Sequence, residues 1–452
     1  MPDSSQADKS KAPEPVDDCG VEPRLQNRNA VLFAAQVSLI YLSAPALYVG
    51  IMQAGLCKHL QTSDTVANLP ATVYLGMAWV PLAVAWLFPQ VRLLKKTMAW
   101  AYGLMALMGL AMTVTLLVNP SSSLIIGAVI LHSAILGGAV PLSNILGWEA
   151  LSRGVSPRLR GKALGLAYGW GPGFAVIGSL GAQMVLDGKV FGWPPPAWLA
   201  VAYPYNYAVL FGISAVCMGL AAVLAGFYRV PMPRVDVARE SFNTAIIGGF
   251  GALLRNRILL IACIAYLLVY CGNIVQVNMS IFTQEAVGRM SQDLAGYQLS
   301  LRFGFKMLCG FFLGWLLLRT NPKAPLLVTA GLQIAGVLWV LYAPGYWFLL
   351  AFGINGAGEL FGAYYINYPV QCSAKSQVRR NIGFLTLISS LVGLAPVFYG
   401  WISDTWNLRA SFWAALAILA FATVMVALKL PSHPRPRPED LTEADRDQNA
   451  VT

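Results

Sequence analysis

Charge is scarce in this chain of 452 residues: Asp, Glu, Lys and Arg make up 11% of it, less than half the roughly 25% found in soluble domains. Too few polar groups are present to clothe soluble cores of that length, which excludes a cytosolic protein. Histidine is nearly missing, with only His59, His132 and His433. There is no His-Glu-x-x-His run, no pair of carboxylates at catalytic spacing and no Gly-x-x-x-x-Gly-Lys phosphate loop, so an enzyme, a metal site and direct ATP drive find no support, and no cofactor is expected. The seven cysteines (19, 57, 217, 263, 271, 309 and 372) form no Cys-x-x-Cys pair and read as small packing residues. The N-terminal residues also lack the charged-then-apolar pattern of a signal peptide.

Long apolar runs are what the chain does have, with 57% hydrophobic residues. A membrane-spanning helix needs about 20 mainly apolar residues. Twelve stretches qualify: Ala30–Gln53, Leu69–Phe88, Met98–Val118, Leu124–Ala150, Ala163–Leu186, Tyr205–Tyr228, Ile258–Phe282, Leu294–Leu318, Ala324–Ala343, Tyr346–Val370, Ile382–Ile402 and Leu408–Leu430. The net charge of +11 is then a matter of topology. Of the 31 Lys and Arg, Lys58, Lys189, Arg289 and Arg409 fall in loops on one side and Arg302 and Lys306 inside a span, which leaves 25 on the side of the termini. By the positive-inside rule both termini are expected in the cytoplasm, and nucleic acid is not an expected partner.

The longest connection on that side, Arg229 to Arg257, divides the spans six and six, and the two sets echo each other. Arg160 and Lys162 lead into Gly165 and a span ending at Asp187; about half a chain later, Arg379 and Arg380 lead into Gly383 and a span ending at Asp404. Such an echo in one membrane orientation suggests parallel repeats about an axis along the membrane normal. The expected organisation is a disordered tail (1–28), a six-helix bundle (29–228), a cytoplasmic central loop (229–257), a second six-helix bundle (258–430) and a disordered tail (431–452).

At this point the chain resembles the major facilitator superfamily of secondary transporters over about residues 28–432. The family's loop motif, Gly-x-x-x-Asp-Arg/Lys-x-Gly-Arg/Lys-Arg/Lys, is echoed after the eighth span by Gly314-Trp-Leu-Leu-Leu-Arg319-Thr-Asn-Pro-Lys323, with Leu318 and Asn321 in place of Asp and Gly. After the second span Arg92, Lys95 and Lys96 keep the basic positions, with Leu87, Val91 and Leu94 where Gly, Asp and Gly are expected. Gly400-Trp-Ile-Ser-Asp404-Thr-Trp-Asn-Leu-Arg409 also looks like the family's turn between spans eleven and twelve. The resemblance implies an all-α integral membrane protein of twelve transmembrane helices, in two six-helix halves related by pseudo-twofold symmetry. It further implies alternating access and a cytoplasmic gate around Arg92, Lys95, Lys96, Glu149, Gly314, Arg319 and Lys323. Both motif copies lack the carboxylate, which implies a different or weaker gate on that side.

In this architecture the solute site lies between the halves near the bilayer midplane, where a charge costs at least about 2.5–3.5 kcal/mol and so normally faces a wet cavity or a partner. Gln298, Arg302 and Lys306 follow one another at spacings of four on the eighth span, one helical face, with Gly310 and Gly314 below them where a neighbour could pack closely. Asn355 and Glu359 are four apart on the tenth. Two cations and one carboxylate favour an anionic solute group, and even if Glu359 pairs with one base the other is expected to stay unpaired. Arg302 suits a carboxylate or phosphate through its planar fork, whereas Lys306 and Glu359 suit proton coupling because burial can bring them to titrate. A purely architectural salt bridge is the alternative.

Asn273, Gln276 and Asn355 are candidate polar contacts, and Tyr41, Tyr74, Asn144 and Tyr168 would supply stacking and hydrogen bonds from the N-terminal spans. The expected function is proton-coupled secondary transport of a small organic solute with an anionic group, by a monomer in a bacterial inner membrane whose partners are solute, proton and lipid. Two readings stay open: a proton-antiport exporter of apolar or cationic compounds, suggested by the Gly- and Pro-rich fifth span, and a transporter-like sensor that binds solute without moving it.

Overall fold

The computed structural model describes residues 21–434 apart from 89, 119–120, 157–158, 160–162, 195–200, 232–250, 252–254, 373–386 and 388–389. The expected central loop, most of both tails, the basic pair Arg379 and Arg380 and the first half of the eleventh span therefore lie largely or wholly outside the described residues. The described chain is almost entirely helical, as a hydrocarbon environment demands: there every backbone donor and acceptor must be satisfied within the segment.

The first six spans are built from α1 (Pro23–Leu42), α2 (Ala44–Leu47), α3 (Ile51–His59), α4 (Asp64–Gly76), α5 (Val80–Leu87), α6 (Leu94–Val118), α7 (Ser122–Gly154), α8 (Trp170–Asp187) and α9 (Tyr205–Gly226). The rest comprise α10 (Arg257–Asn273), α11 (Gln276–Val287), α12 (Ser291–Arg319), α13 (Lys323–Tyr342), α14 (Leu350–Gly358), α15 (Phe361–Gln371), α16 (Leu394–Thr405) and α17 (Leu408–Lys429). Among the described residues, eight helical segments are long and apolar enough to cross a membrane. The first, fifth, tenth and eleventh expected spans are represented by helices that are shorter or less apolar.

The first span departs most from expectation. Its helix starts at Pro23, within the stretch expected to be a tail, and the span runs in three pieces to His59. Hydropathy misses the start because its polar residues are buried in contacts with other helices. The Asn29 side chain donates to the Gly154 and Arg229 carbonyls at 2.9 and 2.7 Å, and Gln26 accepts from the Ser156 amide at 3.0 Å.

Several spans are interrupted midway. The first breaks at Ser43 and again before Gly50, whose φ of +143° suits glycine; Gln53 stitches this break, accepting from the Gly50 amide and donating to the Ala46 carbonyl. The second passes through a tight 3-10 turn at Met77–Trp79, the seventh breaks between Asn273 and Gln276, and the tenth breaks at Glu359 and Leu360.

The bundle has two unlike ends. At the end opposite the termini, called the far face below, apolar side chains of the first six spans share one core with Val277 and Ile281 of α11. The polar contacts described between spans one to six and spans seven to twelve also gather there: Asp64 and Thr65 with Asp404, Asn68 with Asn278, Gln183 with Asp293, Gly296 and Tyr297, and Asp187 with Arg289. At the terminus-bearing end Glu149 pairs with Arg153 on the same helix at 2.9 Å, and Lys323 donates to the Ala427 carbonyl within the second set.

Close packing on the eighth span falls elsewhere than expected. Nothing lies within 4 Å of a Cβ placed on Gly310 or Gly314, whereas a Cβ on Gly356 of α14 would sit 2.3 Å from the Arg302 carbonyl oxygen. The tight crossing of α12 and α14 is thus set from the α14 side. Gly356→Ala should destabilise the folded protein by about 1–3 kcal/mol through overpacking, seen as a lower Tm in detergent, while Gly310→Ala should leave Tm unchanged; equal Tm values for the two variants would contradict this packing.

Candidate functional site

The interruptions of spans one, two, seven and ten converge on one cavity of about 210 Å³. Tyr48 and Val49 come from the break in the first span, Tyr74 and Leu75 from α4 just before its 3-10 turn, Asn273 and Gln276 from the flanks of the seventh-span break, and Glu359, Phe361 and Gly362 from the tenth. Arg302 and Lys306 face it from α12, and Tyr266 and Tyr270 from α10. A second space of about 140 Å³, sharing Tyr74, Leu75 and Tyr270, continues past Ala78, Pro81, Pro141 and Ile145 toward the terminus-bearing end.

The charges in the cavity are not independent. Arg302 Nε lies 2.7 Å from Glu359 Oε1, and Lys306 Nζ lies 3.3 Å from Glu359 Oε2. One carboxylate thus serves two cations, an oxygen each. This corrects the expectation that one base stays unpaired, although the group still sums to one positive charge. Burial is graded: the Arg302 and Glu359 side chains are 9% and 6% exposed and Lys306 is 20% exposed. Among the described residues no hydrogen bond falls on the terminal nitrogens of Arg302, the amide of Gln276 or the hydroxyls of Tyr74 and Tyr270, so the cavity wall carries polar groups free to meet a solute. Asn273 donates to Asn355 Oδ1 at 3.0 Å, tying the seventh-span break to the helix that ends at Glu359.

Other expected site residues lie elsewhere. Gln298 is fully buried on the far side of Arg302, held by Ser280 and Thr283; its place on the α12 stripe is right but its amide is committed. Asn355 supports the site from behind the lining. Tyr41 stacks on Tyr48 and meets Phe303 edge-on, one layer from the cavity. Tyr168 is 41% exposed, stacked on Trp148 and edge-on to Phe33, and Asn144 is exposed and lines neither space. Of the gate residues, Arg92, Lys96 and Arg319 are exposed, and Glu149 and Lys323 are bonded as above. Tyr266, Tyr270, Phe361 and Gly362 also line the cavity; the signal for the last three in the sequence is that each lies within three residues of a polar position, Asn273 or Glu359, that interrupts a span.

The family model described as Major Facilitator Superfamily matches residues 271–451. Solved structures match nearly the whole chain. The nucleoside transporter NupG is 12% identical with a TM-score of 0.60, covering 89% of this chain and 97% of that one. A D-xylose-proton symporter is 14% identical with a TM-score of 0.64, covering 89% and 98%. A bacterial homologue of the human lysosomal transporter Spinster, in an inward-facing and unoccupied conformation, is 14% identical with a TM-score of 0.62, covering 90% and 97%. At such identities the likeness establishes the fold alone, the all-α architecture expected. No curated protein matches the chain.

Removing the shared carboxylate leaves two buried cations facing each other, whereas removing one cation leaves a neutral pair. Glu359→Gln should therefore cost about 3–5 kcal/mol, more than Arg302→Gln, and Lys306→Gln should cost least because its amine is the most exposed. Unfolding of the three variants in detergent checks this order; a Glu359→Gln variant as stable as wild type would refute it.

Proposed function

We propose that the chain is a member of the Major Facilitator Superfamily, whose model matches residues 271–451, and a proton-coupled secondary transporter of a small organic solute bearing an anionic group. The observation that carries this is the shared carboxylate: Arg302 and Lys306 divide Glu359 between them at the wall of a cavity where interrupted spans meet. The excess positive charge and the unoccupied fork of Arg302 suit a carboxylate or phosphate, while the tyrosines and amides around them suit the body of a polar solute.

The same geometry gives a route to coupling. A solute anion drawing Arg302 toward itself removes one of the two cations that favour the ionised form of Glu359, so solute and proton favour each other's binding, as linkage requires. Lys306, more exposed and still within reach, holds the carboxylate in place meanwhile. A direct exchange of this kind needs no further charged group in the cavity.

Orientation follows the 25 basic residues on the terminus side: that end faces the cytoplasm of a bacterial inner membrane, and both termini are inside. Cross-links at the far face and the second space running toward the terminus-bearing end then describe a state closed outward and leading inward. The six-plus-six division of the spans, the central loop at 229–257 and a monomeric assembly belong to the same proposal.

A thermal-stability screen of the purified protein tests the solute class, because a ligand that binds only the folded state raises Tm with occupancy. Sugar acids, sugar phosphates and short carboxylates should include a compound that stabilises wild type, and the shift should vanish in Arg302→Ala. Stabilisation by neutral sugars, nucleosides or lipophilic cations, equal in both proteins, would overturn the anion reading and favour the exporter.

A further inference from the structure

The two aspartates that end the repeat-related fifth and eleventh spans are not used by the cavity. Both are instead bound to the opposite set of spans, at the start of a helix. Asp404, at the end of α16, accepts hydrogen bonds from the backbone amides of Asp64 and Thr65 at 2.8 and 2.9 Å and from the Thr65 hydroxyl. A carboxylate from one half thereby completes the first turn of α4 in the other, where unpaired amides and the positive end of the helix dipole favour an anion. The helices touch at the same level: a Cβ on Gly400 would lie 2.7 Å from Thr65 Cα.

Asp187, at the end of α8, makes the corresponding reach to Arg289, just before α12 begins. Arg289 also lies 3.8 Å from Asp293, and four residues before Asp187 the Gln183 side-chain oxygen Oε1 accepts from the Gly296 and Tyr297 amides. The two contacts are counterparts: the end of span eleven on the start of span two, and the end of span five on the start of span eight. Burial pushes the Asp404 carboxyl up, but the hydrogen bonds from Thr65 and Asp64 outweigh it and hold the carboxyl below the usual carboxylate range, which keeps it charged at neutral pH.

We propose that Asp187 and Asp404 form a two-point latch that holds the far face shut and sets the resting balance between the two open states, a reading that rests on alternating access. On the terminus-bearing side Glu149 is instead paired within its own helix, with Arg153. Both far-face contacts must open together when the halves part, because each joins the same two sets of spans. Releasing one therefore shifts the balance at the other.

Hydrogen–deuterium exchange of the full-length protein in nanodiscs, without added solute, tests this coupling and needs no knowledge of the substrate. Asp404→Asn should speed amide exchange about tenfold at residues 63–66, as loss of hydrogen bonds to a charged group predicts, and should also speed exchange at 288–297 around the other contact. Asp187→Asn should do the converse, and exchange within α13 and α17 should stay unchanged in both, which separates opening from unfolding. Should Asp404→Asn not fold, Thr65→Val, which deletes only the hydroxyl bond, should give the same two-sided response at smaller amplitude. Faster exchange confined to residues 63–66 would make Asp404 a local helix cap and overturn the latch. A failed ligand screen with a two-sided exchange response would overturn the solute assignment and leave the latch standing.

Discussion

One carboxylate divided between two cations in a low-dielectric interior is the constraint around which the site is built. Each of the three charges would be costly at that depth alone, and the three together leave one positive charge in excess, since two cations share the single carboxylate of Glu359. Gly356 brings α14 against the Arg302 backbone, and the Asn273–Asn355 bond fixes the helix that ends at Glu359. The carboxylate is therefore held where both cations reach it, one through each oxygen. The broken spans follow from the same demand: interrupted helices are tolerated at membrane depth where the irregular backbone lines a cavity.

Polar binding between the two sets of spans is strongly lopsided. Helix-terminal carboxylates, side-chain amides and a shared apolar core join them at the far face, while Glu149 and Lys323 at the terminus-bearing end bond within their own sets. Under the alternating access proposed above, the far-face contacts would have to be exchanged for others.

Much of this was legible in the residues alone, for physical reasons. Charges are so rare in the spans that Arg302, Lys306 and Glu359 identified themselves, and the spacing of four put the two bases on one face of α12. The echo of Asp187 and Asp404 was visible as well, although its purpose was not, because the partners are backbone amides and a distant arginine. What could not be read was direction and depth. Gln298 shares the stripe of Arg302 but lies where α11 and α12 close on each other, so its amide is consumed by Ser280 and Thr283. Tyr266, Tyr270 and Phe361 resemble any aromatic in an apolar helix, and only the folded arrangement separates a cavity wall from a lipid-facing surface. The early start of α1 was hidden for the opposite reason, since its Gln26 and Asn29 are polar yet buried against other helices.

The central claim is that Glu359 exchanges an internal counter-charge for a proton when an anionic solute engages Arg302. Proteoliposomes containing wild type or Glu359→Gln, loaded and diluted to compare solute exchange at equilibrium with accumulation driven by an imposed pH gradient, test it most directly. The account predicts that Glu359→Gln keeps exchange and loses gradient-driven accumulation. Accumulation by Glu359→Gln at the wild-type level would contradict it.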